Sequence, residues 1–216
     1  KELDKIAYDV ITSHGAIPSF LNYNGYPASI CASINEVVIH GIPSSKQILK
    51  DGDIISIDIG ANYKGYHGDC ARTWPCGNVK SDRLKLIEVT EQSFFEGLKY
   101  AHPGNRLSDI SHAIEMYAKK FNYGVVRDFT GHGVGSKLHE DPAVPNYGKE
   151  GMGPVLRKGM TLAIEPMINM GTYKVKILAD GWTTITSDHS PSAHYENSIV
   201  ITDNGYEILT KIKEND

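Results

Sequence analysis

Apolar residues recur with two different periods along this chain. "ELDKIAYDVI" places Leu3, Ile6, Ala7, Val10 and Ile11 at helical spacing, and Gly15 stops the run, which predicts a first helix. Residues 81 to 101 and 107 to 121 carry the same period. In the second of these, Ser108 is the candidate N-cap. Ile110, Ile114, Tyr117, Ala118 and Phe121 form the stripe, so both aromatics are expected in the core. "DIISIDIG" has period two instead, with Ile55, Ile57 and Ile59 on one face and Ser56 and Asp58 on the other. "YHGDCARTW" reads as a second strand after the turn-like "NYKG". "PSFLNYNGYPASICASINEVVIHGIP" is rich in turn formers and reads as loops with short strands. From Val125 the pattern is strand-like again, through "MTLAIEPMI", "TTITSD" and "ENSIVITDNGYEIL". The order predicts a mixed α/β (α+β) fold built on antiparallel hairpins rather than on a βαβ series. With no low-complexity stretch and no linker, residues 1–216 are expected to form one domain.

Composition narrows the class. Of 216 residues, 40% are hydrophobic and 22% charged, as in ordinary globular proteins. A net charge of -4 speaks against a generic nucleic-acid or anionic-membrane surface. No apolar run approaches the roughly 20 residues that cross a bilayer. Three cysteines, Cys31, Cys70 and Cys76, are an odd number in a chain that needs no disulfides, so a reducing, cytoplasmic setting is expected.

One faint repeat bears on chemistry. "KDGDIISID" and "RKGMTLAIE" each run basic residue, glycine, apolar strand, acid, with the same interval from Gly52 to Asp58 and from Gly159 to Glu165. Two related halves, each delivering a carboxylate to a shared centre, would leave such a trace. A hairpin turning at Tyr63-Lys64 would set Asp58 opposite Asp69, with Cβ atoms roughly 5 Å apart. A looser turn is equally compatible with the pattern. Carboxylates so placed either share a proton or hold a cation, unless both are solvated on an open face. Glu165 in "LAIEPM" and Glu196 in "HYENSIVI" are two more acids at the edges of apolar strands. With one histidine, the four acids make an oxygen-rich set able to hold two divalent ions.

"GHGVGSKLHEDP" supplies candidate histidines. It lacks both the dinucleotide fingerprint and the P-loop ending, and "HEDPA" is not H-E-x-x-H, since Pro142 would break the helix that motif needs. The glycines would let the backbone approach a ligand and orient His132 and His139 independently, the alternative being two satisfied loop histidines. Cys70 and Cys76 lack zinc-knuckle spacing and read as plain thiols.

"CASINEVVIHGIP", "SIDIG", "GYHGDCARTW", "GHGVGSKLHEDP", "AIEPM" and "HYENSIVITDNG", in this order over nearly the whole chain, closely resemble the type I methionine aminopeptidases. The resemblance implies the pita-bread fold, a pseudo-twofold domain with a curved antiparallel sheet and outer helices. It places the metal ligands on Asp58, Asp69, His132, Glu165 and Glu196. Asp69 and Glu196 would bridge two divalent ions (Co, Mn, Fe or Zn), with Asp58 on one ion and His132 and Glu165 on the other. His40 and His139 would be the non-ligand histidines facing substrate, and Glu165 the group that relays the proton. Tyr23, Tyr26, Cys31 and Trp182 would form the methionine pocket, with Phe20 and Leu138 as more variable lining. His67 and His194, each two positions before a bridging acid, are not among the implied ligands.

The implied activity is removal of the N-terminal methionine from nascent proteins, with a small second residue preferred, by hydroxide activated between two metal ions. The implied setting is cytoplasmic, as a monomer near the ribosome, with no specific nucleic acid or membrane as partner. "KELDKIA" begins inside the family's pattern, so the helix that usually precedes it is expected to be absent here. Two rival readings share the fold: an Xaa-Pro aminopeptidase or prolidase, and a non-catalytic binding protein. The first usually has a further histidine where this chain has Ser136, and the second typically loses ligands that this chain keeps.

Overall fold

The computed structural model describes residues 1–211. Its helices are α1 (Glu2–Ser13), α2 (Ser81–Leu98) and α3 (Leu107–Lys119). The first half contributes strands β1 (Ile17–Pro18), β2 (Ile30–Ile34), β3 (Val37–Ile39), β4 (Ile54–Tyr63) and β5 (Tyr66–Pro75). After the helices come β6 (Gly124–Val125), β7 (Gly131–Gly133), β8 (Glu140–Val144), β9 (Thr161–Ile164) and β10 (Met167–Asn169). The last are β11 (Val175–Ile177), β12 (Thr184–Thr186), β13 (Ser192–His194), β14 (Glu196–Ile201) and β15 (Tyr206–Ile208). A nine-stranded sheet runs β1-β4-β5-β14-β9-β7-β8, with β15 added to β14 and β2 to β4.

Period two in the strands separates two environments. Leu162 and Ile164 on β9, with Ile199 and Ile201 on β14, are buried against Phe94 and Leu98 of α2 and Ile110 and Ile114 of α3. Each such side chain contributes about 1.5–3 kcal/mol on burial. The intervening residues, Ala163 and Glu165 on one strand and Glu196 and Ser198 on the other, point to the opposite face. An acid inside an apolar strand is thus the product of alternation: the helices cover one face and the acids take the other.

The β4–β5 hairpin differs from the expected register. Tyr63 pairs with Tyr66, so the turn is Lys64-Gly65, with both residues at positive φ (52° and 89°). That two-residue turn matches the twist of the strands better than one at Tyr63-Lys64. Asp58 therefore faces Ala71 and Asp69 faces Gly60, so the two acids are diagonal neighbours on one face. At α3 the cap is also different. The Arg106 amide donates to Asp109 Oδ2 at 2.8 Å, while Ser108 Oγ accepts from the Met152 amide at 2.6 Å. Tyr117 and Phe121 are half-buried and pair with each other, ring centroids 5.5 Å apart, outside the main core. In α1 only Ile11 is buried, and Leu3, Ile6 and Val10 are exposed.

The repeated motifs lie on β4 and β9, which flank the central β5·β14 pair on either side. No helix among the described residues is long and apolar enough to cross a membrane.

Candidate active site

Five adjacent strands, β4, β5, β14, β9 and β7, each deliver one side chain to the same face of the sheet. Asp58 and Asp69 come from the hairpin. Glu196 pairs with Ala71, two positions from Asp69 on the same face. Asn197 pairs with Ile164, which brings the next residues, Glu196 and Glu165, side by side. His132 pairs with Ala163. Gly131 and Gly133 make this last pairing close: a Cβ on the first would lie 2.3 Å from the Ala163 carbonyl oxygen, and on the second 2.3 Å from that of Asp141. These glycines admit neighbouring strands rather than a ligand, which corrects the sequence expectation. Pro142 sits within β8, so no zinc helix forms here.

The geometry is that of a cation site. Asp69, His132 and Glu196 each offer a donor atom within 4.8 Å of the others. His132 Nε2 lies 3.8 Å from Asp69 Oδ2 and 3.8 Å from Glu165 Oε1. Its Nδ1 donates to the Gly133 carbonyl at 2.8 Å, which leaves the Nε2 lone pair aimed at the acids. Asp69 and Glu196 are 3% and 2% exposed, and the buried Oδ1 atoms of Asp58 and Asp69 have no hydrogen-bond partner. Burial, and then repulsion from the neighbouring acids, pushes the carboxyls of Asp58, Glu165 and Glu196 well above the usual range. Burial raises Asp69 as well. Four crowded carboxyls, two of them with an orphaned oxygen, and a bare imidazole nitrogen fit a divalent ion, which would relieve each of these costs.

A cavity of about 260 Å³ opens onto the acids. Every residue that the resemblance assigns to the site lines it: Phe20, Tyr23, Tyr26, Cys31, His40, Asp58, Asp69, His132, Leu138, His139, Glu165, Trp182 and Glu196. Its apolar end is a cluster of Phe20, Tyr26, Cys31 and Leu138, with Tyr23 and Trp182 packed against it. The buried Tyr26 hydroxyl donates to the carbonyls of Ile30 and Gly41, and its ring meets Trp182 edge-on at 5.1 Å. His139 Nδ1 is 2.8 Å from the Tyr23 hydroxyl, and its ring is 4.2 Å from that of His132. His40 follows β3 at a positive φ of 58°, a conformation uncommon outside glycine, and its ring lies between Phe129 and Trp182. Burial lowers the imidazoles of His40 and His139 to about 4, so both are neutral near pH 7.

Sequence reasoning did not find Asn24, Ile39, Phe129 and Thr130, which also line the cavity. Phe129 meets His40 edge-on at 5.5 Å. It sits in an irregular segment before β7, where no period betrays which way a side chain faces. His194 enters the centre more deeply than expected: its Nε2 is 3.5 Å from Glu165 Oε2.

The description "Metallopeptidase family M24" is that of the family whose model matches residues 1–203. The chain belongs to metallopeptidase family M24. Within M24 it is similar to "Methionine aminopeptidase" of Clostridium acetobutylicum, 57% identical over 97% of this chain and 84% of that one. Among solved structures, methionine aminopeptidase from Thermotoga maritima superposes with a TM-score of 0.96 at 44% identity, covering 98% of this chain and 85% of that one. The prolidase from Pyrococcus horikoshii is a more distant structural neighbour, with a TM-score of 0.67, 26% identity, and 86% of this chain against 48% of that one. This M24 chain therefore has the pita-bread fold that the sequence resemblance implies, and its sheet is the curved antiparallel sheet of that fold.

Proposed function

We propose that this chain removes the N-terminal methionine from peptides and nascent proteins, using two divalent ions held by Asp58, Asp69, His132, Glu165 and Glu196. One observation carries the reading: a single cavity joins an apolar end to a cluster of four acids and a histidine. The similarity to the methionine aminopeptidases of Clostridium acetobutylicum and Thermotoga maritima supports it. The donor set is hard and oxygen-rich with one imidazole, which suits Mn, Fe, Co or Zn. When bound, such ions supply Lewis acidity and lower the pKa of a shared water.

The chain's own residues do the rest. Phe20, Tyr26, Cys31, Leu138 and Trp182 take the methionine side chain, and an apolar wall with a thiol and aromatic edges suits a polarizable thioether. Glu165 accepts the proton of the attacking water and passes it toward the leaving amine. Neutral His139, held by Tyr23, donates to the oxyanion that develops at the scissile carbonyl. His40 holds the scissile amide. The limited volume restricts the second residue to small side chains.

Release of methionine from Met-Ala-Ser tests the reading. Chelation should abolish release and Mn or Co should restore it, and acetyl-Met-Ala-Ser should resist cleavage because it offers no free α-amine to the acid end of the cavity. Undiminished activity after exhaustive chelation would end the metallohydrolase reading.

A further inference from the structure

Beside the acids lies a buried histidine that is outside the proposed ligand set. His194 ends β13, two positions before Glu196, and is 2% exposed. Its backbone is held by one hydroxyl on both sides: its amide donates to Thr73 Oγ1 at 2.9 Å, and Thr73 Oγ1 donates to its carbonyl at 2.9 Å. Pairing with Met167 on β10 fixes the strand further. From this rigid mount Nε2 reaches within 3.5 Å of Glu165 Oε2 and 4.0 Å of Glu196 Oε2, yet it has no hydrogen-bond partner among the described residues. A buried polar nitrogen without a partner is costly, and such groups in folded proteins are nearly always satisfied in the working state.

The chemistry of the neighbours decides what that state is. Carboxylates that ligate a metal are ionised, and ionised carboxylates only accept hydrogen bonds. A nitrogen facing two of them is therefore favourable only as an N–H donor. Glu165 presents its two oxygens to different partners: Oε1 lies 3.8 Å from His132 Nε2, within the cluster, while Oε2 turns to His194. His132 is set the opposite way, with its proton on Nδ1 toward Gly133 and its Nε2 bare.

We propose that His194 is a positioning residue whose Nε2–H donates to Glu165 Oε2 and fixes the rotation of that carboxylate, so that Oε1 is presented to the metal centre. The two buried histidines then hold complementary tautomers, one ligating and one donating. The proposal rests on the metal reading above.

The test measures metal binding without peptide. Co²⁺ affinity is determined by competition with a chromogenic chelator for the parent, for His194→Gln, which keeps an N–H, and for His194→Met, which keeps the bulk and loses the donor. The Met variant should bind Co²⁺ about 10- to 100-fold more weakly, the scale for a lost outer hydrogen-bond partner of a ligand, and the Gln variant close to the parent. Nitrogen hyperfine spectroscopy of the Co²⁺-loaded parent, which needs no variant, should count one imidazole, that of His132. Parent-like affinity in the Met variant, equal weakness in the Gln variant, or a second coordinated imidazole would each overturn the positioning role alone. Failure of the parent to bind Co²⁺ would overturn the metal reading and this proposal with it.

Discussion

His139 shows how neighbours set the state of one side chain. Burial, with the adjacent imidazoles, lowers it to about 4, so it is neutral near pH 7, and the Tyr23 hydroxyl 2.8 Å from Nδ1 fixes the ring. His139→Ala should lower kcat by at least about 10²-fold, the scale of one lost transition-state donor, with metal content unchanged in elemental analysis. Loss of metal in this variant, with retention in His132→Ala, would mean that the two imidazoles have exchanged roles. At this scale the sequence was informative about identity and poor about direction. The four acids and the histidines His40, His132 and His139 named from it line one cavity, because an acid or histidine beside apolar strands stands out against its surroundings. Phe129 does not stand out: an aromatic in a loop looks the same whether it faces a pocket or the core. Nor could the sequence show that His194 points at Glu165, since that depends on the pairing of β13 with β10.

Among the elements, β7 is tightly constrained on both sides. Its two glycines let β8 and β9 approach from either side, and His132 depends on both contacts. Gly131→Ala would push a methyl against the Ala163 carbonyl, so a loss of about 1–3 kcal/mol in chemical unfolding is expected, together with weaker metal binding as His132 is displaced. Parent-like stability and affinity would show that β7 yields more easily than its packing implies. Strand identity was legible here, whereas register was not. The Tyr63-Lys64 and Lys64-Gly65 turns differ by one position, and only the second puts glycine where the chain needs a left-handed residue. Asp58 and Asp69 share a face in either case, so the error in register left the chemistry intact. The two copies of the glycine-to-acid interval fall on β4 and β9, which sit on either side of the β5·β14 pair.

The whole molecule concentrates negative charge in a place that folding alone cannot neutralise. Burial first, then mutual repulsion, raises Asp58, Glu165 and Glu196 far above their unfolded values near 4, and burial brings Asp69 up to about 7. Between the unfolded and folded values the metal-free native state binds more protons than the unfolded chain, so its stability falls as pH rises. The buried histidines oppose this only at lower pH. His40, His139 and His194 are held at about 4, 4 and 3, so their cost is confined to pH below the unfolded value of about 6.5. From about pH 6.5 to about 8.5 the carboxyls act alone, and the Tm of the metal-free protein should decline. Saturating metal should raise Tm most at the upper end of that range. A metal-free Tm that is flat or rising across it would mean that the acids are already compensated within the protein.

Methionine specificity is the central claim, because the fold and the acid cluster are compatible with proline-specific relatives as well. The most direct measurement is kcat/KM for Met-Ala-Ser and Ala-Pro-Ser on the same protein at equal metal loading. The apolar end formed by Phe20, Tyr26, Cys31, Leu138 and Trp182 predicts a preference for Met-Ala-Ser of at least about 10-fold, as expected when a long apolar side chain fills a pocket that alanine leaves empty. Faster turnover of Ala-Pro-Ser would contradict the account and assign the cavity to proline peptides instead.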